Sequence, residues 1–344
     1  MPIFETSSMT RIEKILAAID PRKGQGAEIG PLMAPVVTRD MGEIYYIDRA
    51  STEELVQWYE INPEVDTTKI VSVDFVWGER SLSQCTAGRK FDYCVASHVI
   101  EHVPDLISWL QEVSSILVDG GILSLVVPDK RYTFDCLRDT STMVDVADAY
   151  LRKLRKPSIR QIFDHFSHFT DVDAASLWRG EIDIDRLNPK TGAEHVLNMC
   201  ENLLIDDKYI DTHCWVFTPH SFIKVISEIS ELGLFCFELV HFFHTDENAI
   251  EFILSLRKLP ESLSSEERHA RLQESIAALP KELGFDCKEK IDSDVSASLL
   301  ASINAEKAGL QSRLDLMESS SSWRITAPLR ALANTVRRGF GPLS

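Results

Sequence analysis

The stretch that decides the fold runs from Lys90 to Pro128 and reads KFDYCVASHVIEHVPDLISWLQEVSSILVDGGILSLVVP. Its first apolar run, 91–96, has the length of a strand and is too short for a helix that stands alone. From Asp105 onward, apolar residues recur at helical spacing, which predicts a helix with one buried face. These residues are Leu106, Ile107, Leu110, Val113, Ile116 and Leu117. Asp119-Gly120-Gly121 predicts the end of this helix, because glycine readily adopts the left-handed C-terminal cap. The apolar run 122–127 is typical of a parallel strand that is covered on both faces, so the whole stretch predicts a βαβ unit.

Length and composition limit the classes of protein to consider. A chain of 344 residues can bury a sizeable core as one large or two modest domains. The formal net charge of −17 argues against general nucleic-acid binding through a basic surface. No apolar run approaches the ~18 residues of a membrane span, and the N-terminus lacks the features of a signal peptide. We therefore expect a cytoplasmic protein, which could still contact the inner face of a membrane from its surface.

The seven cysteines form no Cys-x-x-Cys pair, and several lie in apolar, strand-like runs. This pattern predicts buried free thiols in a reducing compartment rather than a zinc site.

Patterns outside the deciding stretch complete a sheet. Further strands are predicted at 27–30, 44–48, 70–75, 234–243 and 250–256. Two late strands after five βα units predict an α/β, Rossmann-like fold with a seven-stranded, mostly parallel sheet and one reversed edge strand. Ser51 or Thr52 should begin one helix, and Thr218 with Pro219 should begin another that ends at Gly233.

The composition also divides the chain into segments. Residues 1–25 form a lead-in with a short helix, and 26–258 form the main domain, with a helical insertion at about 129–215. Residues 259–318 have helical periodicity and a possible coiled-coil seam that includes Leu310. The last segment, 319–344, carries four arginines and no acid, so we expect it to bind weakly to an anionic membrane surface or to a protein partner.

Two motifs resemble known families. The sequence from Phe91 through Val99-Ile100-Glu101-His102-Val103, closed by Gly120-Gly121, resembles the fourth strand and following helix of Rossmann-like, class I S-adenosylmethionine-dependent methyltransferases (the methyltransferase-11/23-like group). This resemblance covers roughly 26–258 and implies a methyltransferase domain that uses S-adenosyl-L-methionine. The string SSWRITAPLR at 321–330 resembles a tail of bacterial enzymes of surface-polysaccharide assembly, which implies a glycan or glycolipid acceptor.

A sulfonium cofactor requires an open site at the carboxyl edge of the sheet, where strand order reverses. Gly30 would allow close backbone approach, and Glu28 precedes it as an acid does in the family's first motif. Asp48 is placed to bind the ribose hydroxyls, since it ends the second strand 20 residues after Glu28. The remaining predicted cofactor contacts are Asp74 and Phe75 for adenine, and Ser97 and His98 for the methionine portion.

Several alternatives stay open. Glu28 could pair with a neighbouring loop, Asp48 could cap a helix, and Asp74 could be a turn residue. A dinucleotide enzyme is a rival, but Gly30-Pro31-Leu32 offers one glycine where that fingerprint has three. The missing glycines also allow a non-catalytic scaffold that binds a glycosyltransferase. A small metabolite or RNA could replace the glycan as acceptor.

Methyl transfer to a hydroxyl requires alignment of two atoms and a base, for which histidine suits neutral pH. We predict His98 and His165 as catalytic candidates. Other histidines of the insertion and its end could serve instead: His168, His195, His213 and His220. We assign no metal site, although the imidazoles of His98 and His102 with the Glu101 carboxylate would suit a divalent ion on one helix face. The long insertion should form a lid over the acceptor.

Overall fold

The computed structural model describes residues 9–206 and 208–279. The predicted coiled-coil seam and the basic segment 319–344 lie outside these residues. Within them, no helix combines the length and apolar character needed to cross a membrane. The cysteines described are all free thiols, and most are buried.

Seven strands form one sheet. They are β1 Gln25–Ile29, β2 Glu43–Asp48, β3 Phe75–Val76, β4 Phe91–Ser97, β5 Leu117–Pro128, β6 Phe237–Phe243 and β7 Glu251–Lys258. Their order across the sheet is β3-β2-β1-β4-β5-β7-β6, and the first five strands are parallel. Strand β7 runs antiparallel to both β5 and β6. The predicted seven-stranded, mostly parallel sheet is therefore confirmed, but the reversed strand is second from the edge, not at the edge.

Ten α-helices accompany the sheet in the described part of the chain. They are α1 Arg11–Ile15, α2 Thr52–Tyr59, α3 Leu82–Cys85, α4 Leu106–Ile116, α5 Met143–Arg152, α6 Ile159–His168, α7 Ala174–Trp178, α8 Ala193–Asp206, α9 Pro219–Glu231 and α10 Ser265–Ala277. The predicted caps are confirmed: the side chains of Ser51 and Thr218 accept N–H groups of the first turns of α2 and α9.

The two faces of the sheet carry separate apolar clusters. The buried face of α4 packs on one side together with α9, where Cys94 and Ala96 of β4 also lie. On the other side, Val95 packs with Ile15 at the end of α1. Successive residues of a strand point to opposite faces, so this alternation buries residues 93–96 of β4 on both sides of the sheet. The predicted apolar face of α4 is confirmed.

The end of α4 differs from the prediction. The helix stops at Ile116, and Leu117 already has extended backbone and pairs with Phe91 of β4. Gly120 and Gly121 lie inside β5, where the pairing register with β4 shifts. A bulge of this kind requires backbone conformations that glycine adopts easily, and Gly120 has a φ of +80°. The glycine pair therefore forms a strand irregularity instead of a helix cap.

The third strand is also shorter and later than predicted. Residues 70–74 precede β3 without forming a strand. The carboxylate of Asp74 accepts the N–H of Tyr46 at 2.7 Å, a donor that a regular ladder would use for a backbone carbonyl. Strand pairing therefore begins only at Phe75, which lies opposite Ile47.

Helix α10 follows the predicted domain boundary at 258 but packs on the sheet. Leu272 and Ile276 are buried in the larger apolar cluster. The hydroxyl of Ser275 accepts the N–H of Leu239 in β6 at 3.0 Å. This first helix of the extension therefore shares the core of the main domain.

Candidate active site

The largest described cavity lies at the carboxyl ends of the strands, where β1 separates β2 from β4 and the strand order reverses. Its volume is about 450 Å³. Such switch points are where open α/β sheets bind ligands, since the loops on either side diverge. The walls come from strand ends, from α2 and from the insertion.

Gly30 lies at the end of β1 and lines the cavity. Its φ is +67°, and an added Cβ would lie 3.0 Å from Cγ2 of Val99. Both observations require glycine here, so the backbone can approach a ligand closely, as the sequence predicts.

Asp48 also lines the cavity, at the end of β2. Burial raises the pKa of its carboxyl to about 6, although the N–H of Arg49 donates to it at 2.7 Å. A half-buried carboxylate at this position can accept hydrogen bonds from the two hydroxyls of a ribose. The structure therefore places Asp48 where the sequence predicts a ribose-binding acid.

Glu28, Asp74 and Phe75 lie away from the cavity lining. Both carboxylate oxygens of buried Glu28 accept backbone N–H groups, from Val36 at 2.7 Å and Val37 at 3.0 Å. This is the loop pairing that the sequence left open as an alternative. Asp74 pairs with Arg39 and Tyr46, and Phe75 packs against Tyr45.

The segment after β3 supplies cavity residues that the sequence interpretation missed. Trp77, Gly78 and Glu79 line the cavity, together with Trp58 and Tyr59 from α2. The indole nitrogen of Trp77 is buried without a hydrogen-bond partner. These residues were missed because the third strand was predicted to end at Phe75, which assigned the wrong positions to its carboxyl end.

Ser97 is the last residue of β4 and His98 follows it, and both line the cavity as predicted. The hydroxyl of Ser97 accepts a hydrogen bond from Arg11 at 2.9 Å. His98 has a φ of +54°, and its Nε2 lies 2.5 Å from a carboxylate oxygen of Glu251 in β7. Burial acts to lower the pKa of His98, but the neighbouring carboxylates of Glu101 and Glu251 outweigh it and raise the pKa to about 9. A protonated imidazole cannot take a proton, so this geometry suits His98 to charge stabilisation and positioning instead of base catalysis.

His165, the second catalytic candidate, is buried in α6 and does not line the cavity. Its ring packs edge-on against Phe134 and Phe166, and its Nδ1 has no hydrogen-bond partner. Burial lowers the pKa of His165 to about 4, so the ring stays neutral. The structure therefore separates His165 from the cavity, although its ring centroid lies 5.7 Å from that of His213.

A cluster of Glu101, His102 and His213 lies beside the cavity. Their possible ligand atoms lie within 4.8 Å of one another. The backbone explains this convergence: the carbonyl of Glu101 accepts the N–H of Cys214 at 2.6 Å, and the carbonyl of Val103 accepts the indole N–H of Trp215 at 2.6 Å. The end of the insertion is thus attached to the turn after β4. From the sequence we assign no metal site, and the set considered there contains His98 in place of His213. In the structure His98 precedes the 3₁₀ turn at Ile100–His102, and the sequence indicates His213 only as one of several catalytic histidines.

The insertion contributes to the cavity wall. Leu154, Arg155, Lys156, Tyr209 and Asp211 all line the cavity. The guanidinium of Arg49 lies over the ring of Tyr209, which connects the insertion to the end of β2. This position beside the cavity is the one expected for the predicted acceptor lid.

Residues 26–181 match a family model described as a methyltransferase domain. No curated protein matches the sequence.

Solved structures also give matches. Magnesium protoporphyrin IX methyltransferase from Synechocystis PCC 6803 with bound S-adenosylhomocysteine is 11% identical, with a TM-score of 0.33, and the match covers 72% of this chain and 80% of that one. A putative S-adenosylmethionine-dependent methyltransferase from Listeria monocytogenes is 11% identical, with a TM-score of 0.34 over 72% of this chain and 96% of that one. Scores this low carry no inference about the acceptor.

Proposed function

Since this chain is an S-adenosylmethionine-dependent methyltransferase of the Rossmann-like class, we propose that it transfers the methyl group to a hydroxyl oxygen of a sugar or glycolipid precursor. The observation that carries the proposal is the cavity at the switch point, with Gly30 and Asp48 on its wall. This arrangement leaves room for a nucleoside and offers a carboxylate to its ribose.

The two halves of the cavity, at the ends of β2 and β3 and at the end of β4, would bind different parts of the cofactor. Asp48 would hold the ribose, and Trp77 at the end of β3 would contact the adenine ring. Ser97 and His98 lie on the β4 side, where the methionine portion would extend. The positive imidazole of His98 would attract the cofactor's carboxylate, while Glu251 and Glu101 keep that ring in place.

Methyl transfer is an in-line displacement in which the acceptor oxygen bonds to the methyl carbon while the carbon–sulfur bond breaks, and the hydroxyl proton passes to a cavity carboxylate such as Glu79 or to water. The positively charged sulfur is a good leaving group, so the protein mainly aligns the two reactants and excludes water. The described part of the insertion can do this, since Tyr209 and Asp211 cover one side of the cavity.

Two features support a sugar-like acceptor. Aromatic rings from α2 and the insertion, Trp58, Tyr59 and Tyr209, line the cavity beside the carboxylates of Glu79 and Asp211. Flat apolar surface with a few polar groups suits a ring that has an apolar face and hydroxyl edges. The resemblance of 321–330 to a tail of surface-polysaccharide enzymes supports the same acceptor class.

The first test is binding. S-adenosylmethionine and NAD would be titrated separately into the wild type and into Asp48→Asn by calorimetry. Asp185→Asn is the matched control, because Asp185 is exposed and does not line the cavity. We expect the wild type and the control to bind S-adenosylmethionine alone. Binding of NAD instead, or of neither cofactor, would contradict the proposed site.

The second test identifies the acceptor. Cofactor labelled in its methyl group would be incubated with four separate acceptor pools: nucleotide sugars, bacterial glycolipids, RNA and small metabolites. We expect label in an alkali-stable ether on a sugar. Label confined to RNA or to a small metabolite would replace the glycan proposal with that alternative.

A further inference from the structure

The carboxylate of Glu101 is buried without compensating hydrogen bonds. The residue is 1% exposed, and neither carboxylate oxygen has a hydrogen-bond partner. The nearest basic atoms are imidazole nitrogens, Nδ1 of His98 at 3.5 Å and Nε2 of His102 at 3.9 Å. Burial of a carboxylate without hydrogen bonds is strongly unfavourable, so a further positive partner is expected at this position.

The two histidines of the cluster are oriented by carboxylates. Nδ1 of His102 lies 3.0 Å from Asp211, and Nδ1 of His213 lies 2.6 Å from Asp135. Asp135 is itself held by the buried guanidinium of Arg138 at 2.8 Å. With Nδ1 occupied, each ring has Nε2 left as its ligand atom. Metal-binding histidines are oriented in this way, by a carboxylate on the second ring nitrogen.

We infer that Glu101, His102 and His213 bind a divalent transition-metal ion. Two imidazole nitrogens and one carboxylate form a donor set that suits Zn²⁺ or Fe²⁺ and leaves coordination positions open. Ligand atoms about 2.0–2.2 Å from one ion, at angles of about 90–110°, are roughly 2.8–3.6 Å apart, so side-chain rotations would have to shorten the present spacing of up to 4.8 Å. Mg²⁺ is a poor candidate, because it prefers oxygen ligands.

The position of the ion suggests its task. His102 and Asp211 line the large cavity, whereas Glu101 and His213 are buried behind it. The open coordination positions therefore face the cavity, where an oxygen of the acceptor would bind. This task rests on the proposed function, but the binding of the ion does not.

Metal binding can be measured directly on the full chain. The protein would be stripped with a chelator and dialysed, and Zn²⁺, Co²⁺ and Mg²⁺ would then be titrated by calorimetry, with Co²⁺ followed also by visible absorption. We expect one Zn²⁺ or Co²⁺ per chain and much weaker Mg²⁺ binding. The Co²⁺ spectrum should lack a thiolate charge-transfer band, since none of the three ligands is a cysteine.

Variants test the assignment of ligands. Glu101→Gln should weaken Zn²⁺ binding at least 100-fold, because it removes the anionic ligand. Asp211→Asn changes only the orientation of His102 and should weaken binding about 10- to 100-fold. Since Asp211 is exposed, this variant tests the site even where Glu101→Gln does not fold. His195→Asn is the matched control, because His195 is exposed and outside the cluster, and its affinity should equal that of the wild type.

Two kinds of result would contradict the metal site. A wild type that binds no transition metal would show that His98 and His102 alone neutralise Glu101. Affinity unchanged in both Glu101→Gln and Asp211→Asn, or a Co²⁺ spectrum of thiolate type, would place the ion elsewhere. S-adenosylmethionine binding would be measured on the same samples. A wild type that binds Zn²⁺ but not S-adenosylmethionine would count against the proposed function and would leave the proposed metal site standing.

Discussion

Replacement of Asp48 by Asn gives the sharpest test of the cofactor site. The carboxylate of Asp48 receives one described hydrogen bond, from the N–H of Arg49, and faces the cavity. A ribose can donate two hydroxyl hydrogens to it. Hydrogen bonds to a charged group contribute about 1.5–3 kcal/mol each, and an amide offers one neutral acceptor in place of two charged ones. We expect a loss of about 2–3 kcal/mol, which is about 30- to 150-fold in the Kd of S-adenosylmethionine.

The same substitution should remove a pH dependence. Burial raises the pKa of Asp48 from 3.8 to about 6. The ionised form is the acceptor for the ribose, so cofactor affinity should be constant above about pH 7. It should weaken as pH falls through 6, by at most tenfold per pH unit. The Asp48→Asn variant has no ionisable group at this position and should show a flat profile over this range.

Calorimetric titrations at pH 5.0, 6.0, 7.0 and 8.0 would measure both effects, and Asp185→Asn would control for the change of charge. A wild-type profile that stays flat from pH 5 to 8, or an Asp48→Asn affinity within threefold of the wild type, would refute the assignment of Asp48 to the ribose.

Three further outcomes follow from the structure. Trp58 is 55% exposed at the cavity, so Trp58→Ala should weaken binding of the acceptor up to about tenfold by losing stacking, with little change in Tm; steady-state kinetics and thermal unfolding check this. Arg138 is buried between Asp135 and Asp164, so Arg138→Met should lower the free energy of unfolding by about 3 kcal/mol in urea titrations, because buried Asp135 loses its guanidinium partner and keeps only His213. Burial raises the pKa of Glu28 from 4.5 to about 7. The contribution of this carboxyl group to the free energy of unfolding is therefore complete below pH 4.5 and is lost as pH rises through 7. Tm should fall between these pH values in the wild type, and it should fall less in Glu28→Gln.

Local patterns in the sequence were sufficient for much of the fold. The apolar face of α4 and the caps at Ser51 and Thr218 depend on residues within one or two turns, which is why they could be predicted. Gly30 and Asp48 could be placed in the same way, because Gly30 directly follows β1 and Asp48 is the last residue of β2, and the end of each strand is clear from its own pattern.

Other features depend on contacts between distant segments. The length of β3 is set by the side chain of Asp74 taking the N–H of Tyr46, which competes with strand pairing. The partner of His98 is Glu251, from the last strand of the sheet. No periodicity connects such residues. The position of His213 beside Glu101 likewise depends on the backbone hydrogen bond from Cys214, so sequence could name this histidine as a candidate but not single it out.

The place of β7 between β5 and β6 has a consequence for synthesis on the ribosome. Strand β6 is translated before β7, yet its pairing partner in the sheet is β7. From the emergence of β5 until Glu251 follows, one side of β5 therefore has no neighbouring strand. At roughly 5–20 residues per second this interval lasts several seconds or more. A nascent chain arrested in this interval would expose an unpaired, apolar edge to other chains, and would also lack the carboxylate that holds His98.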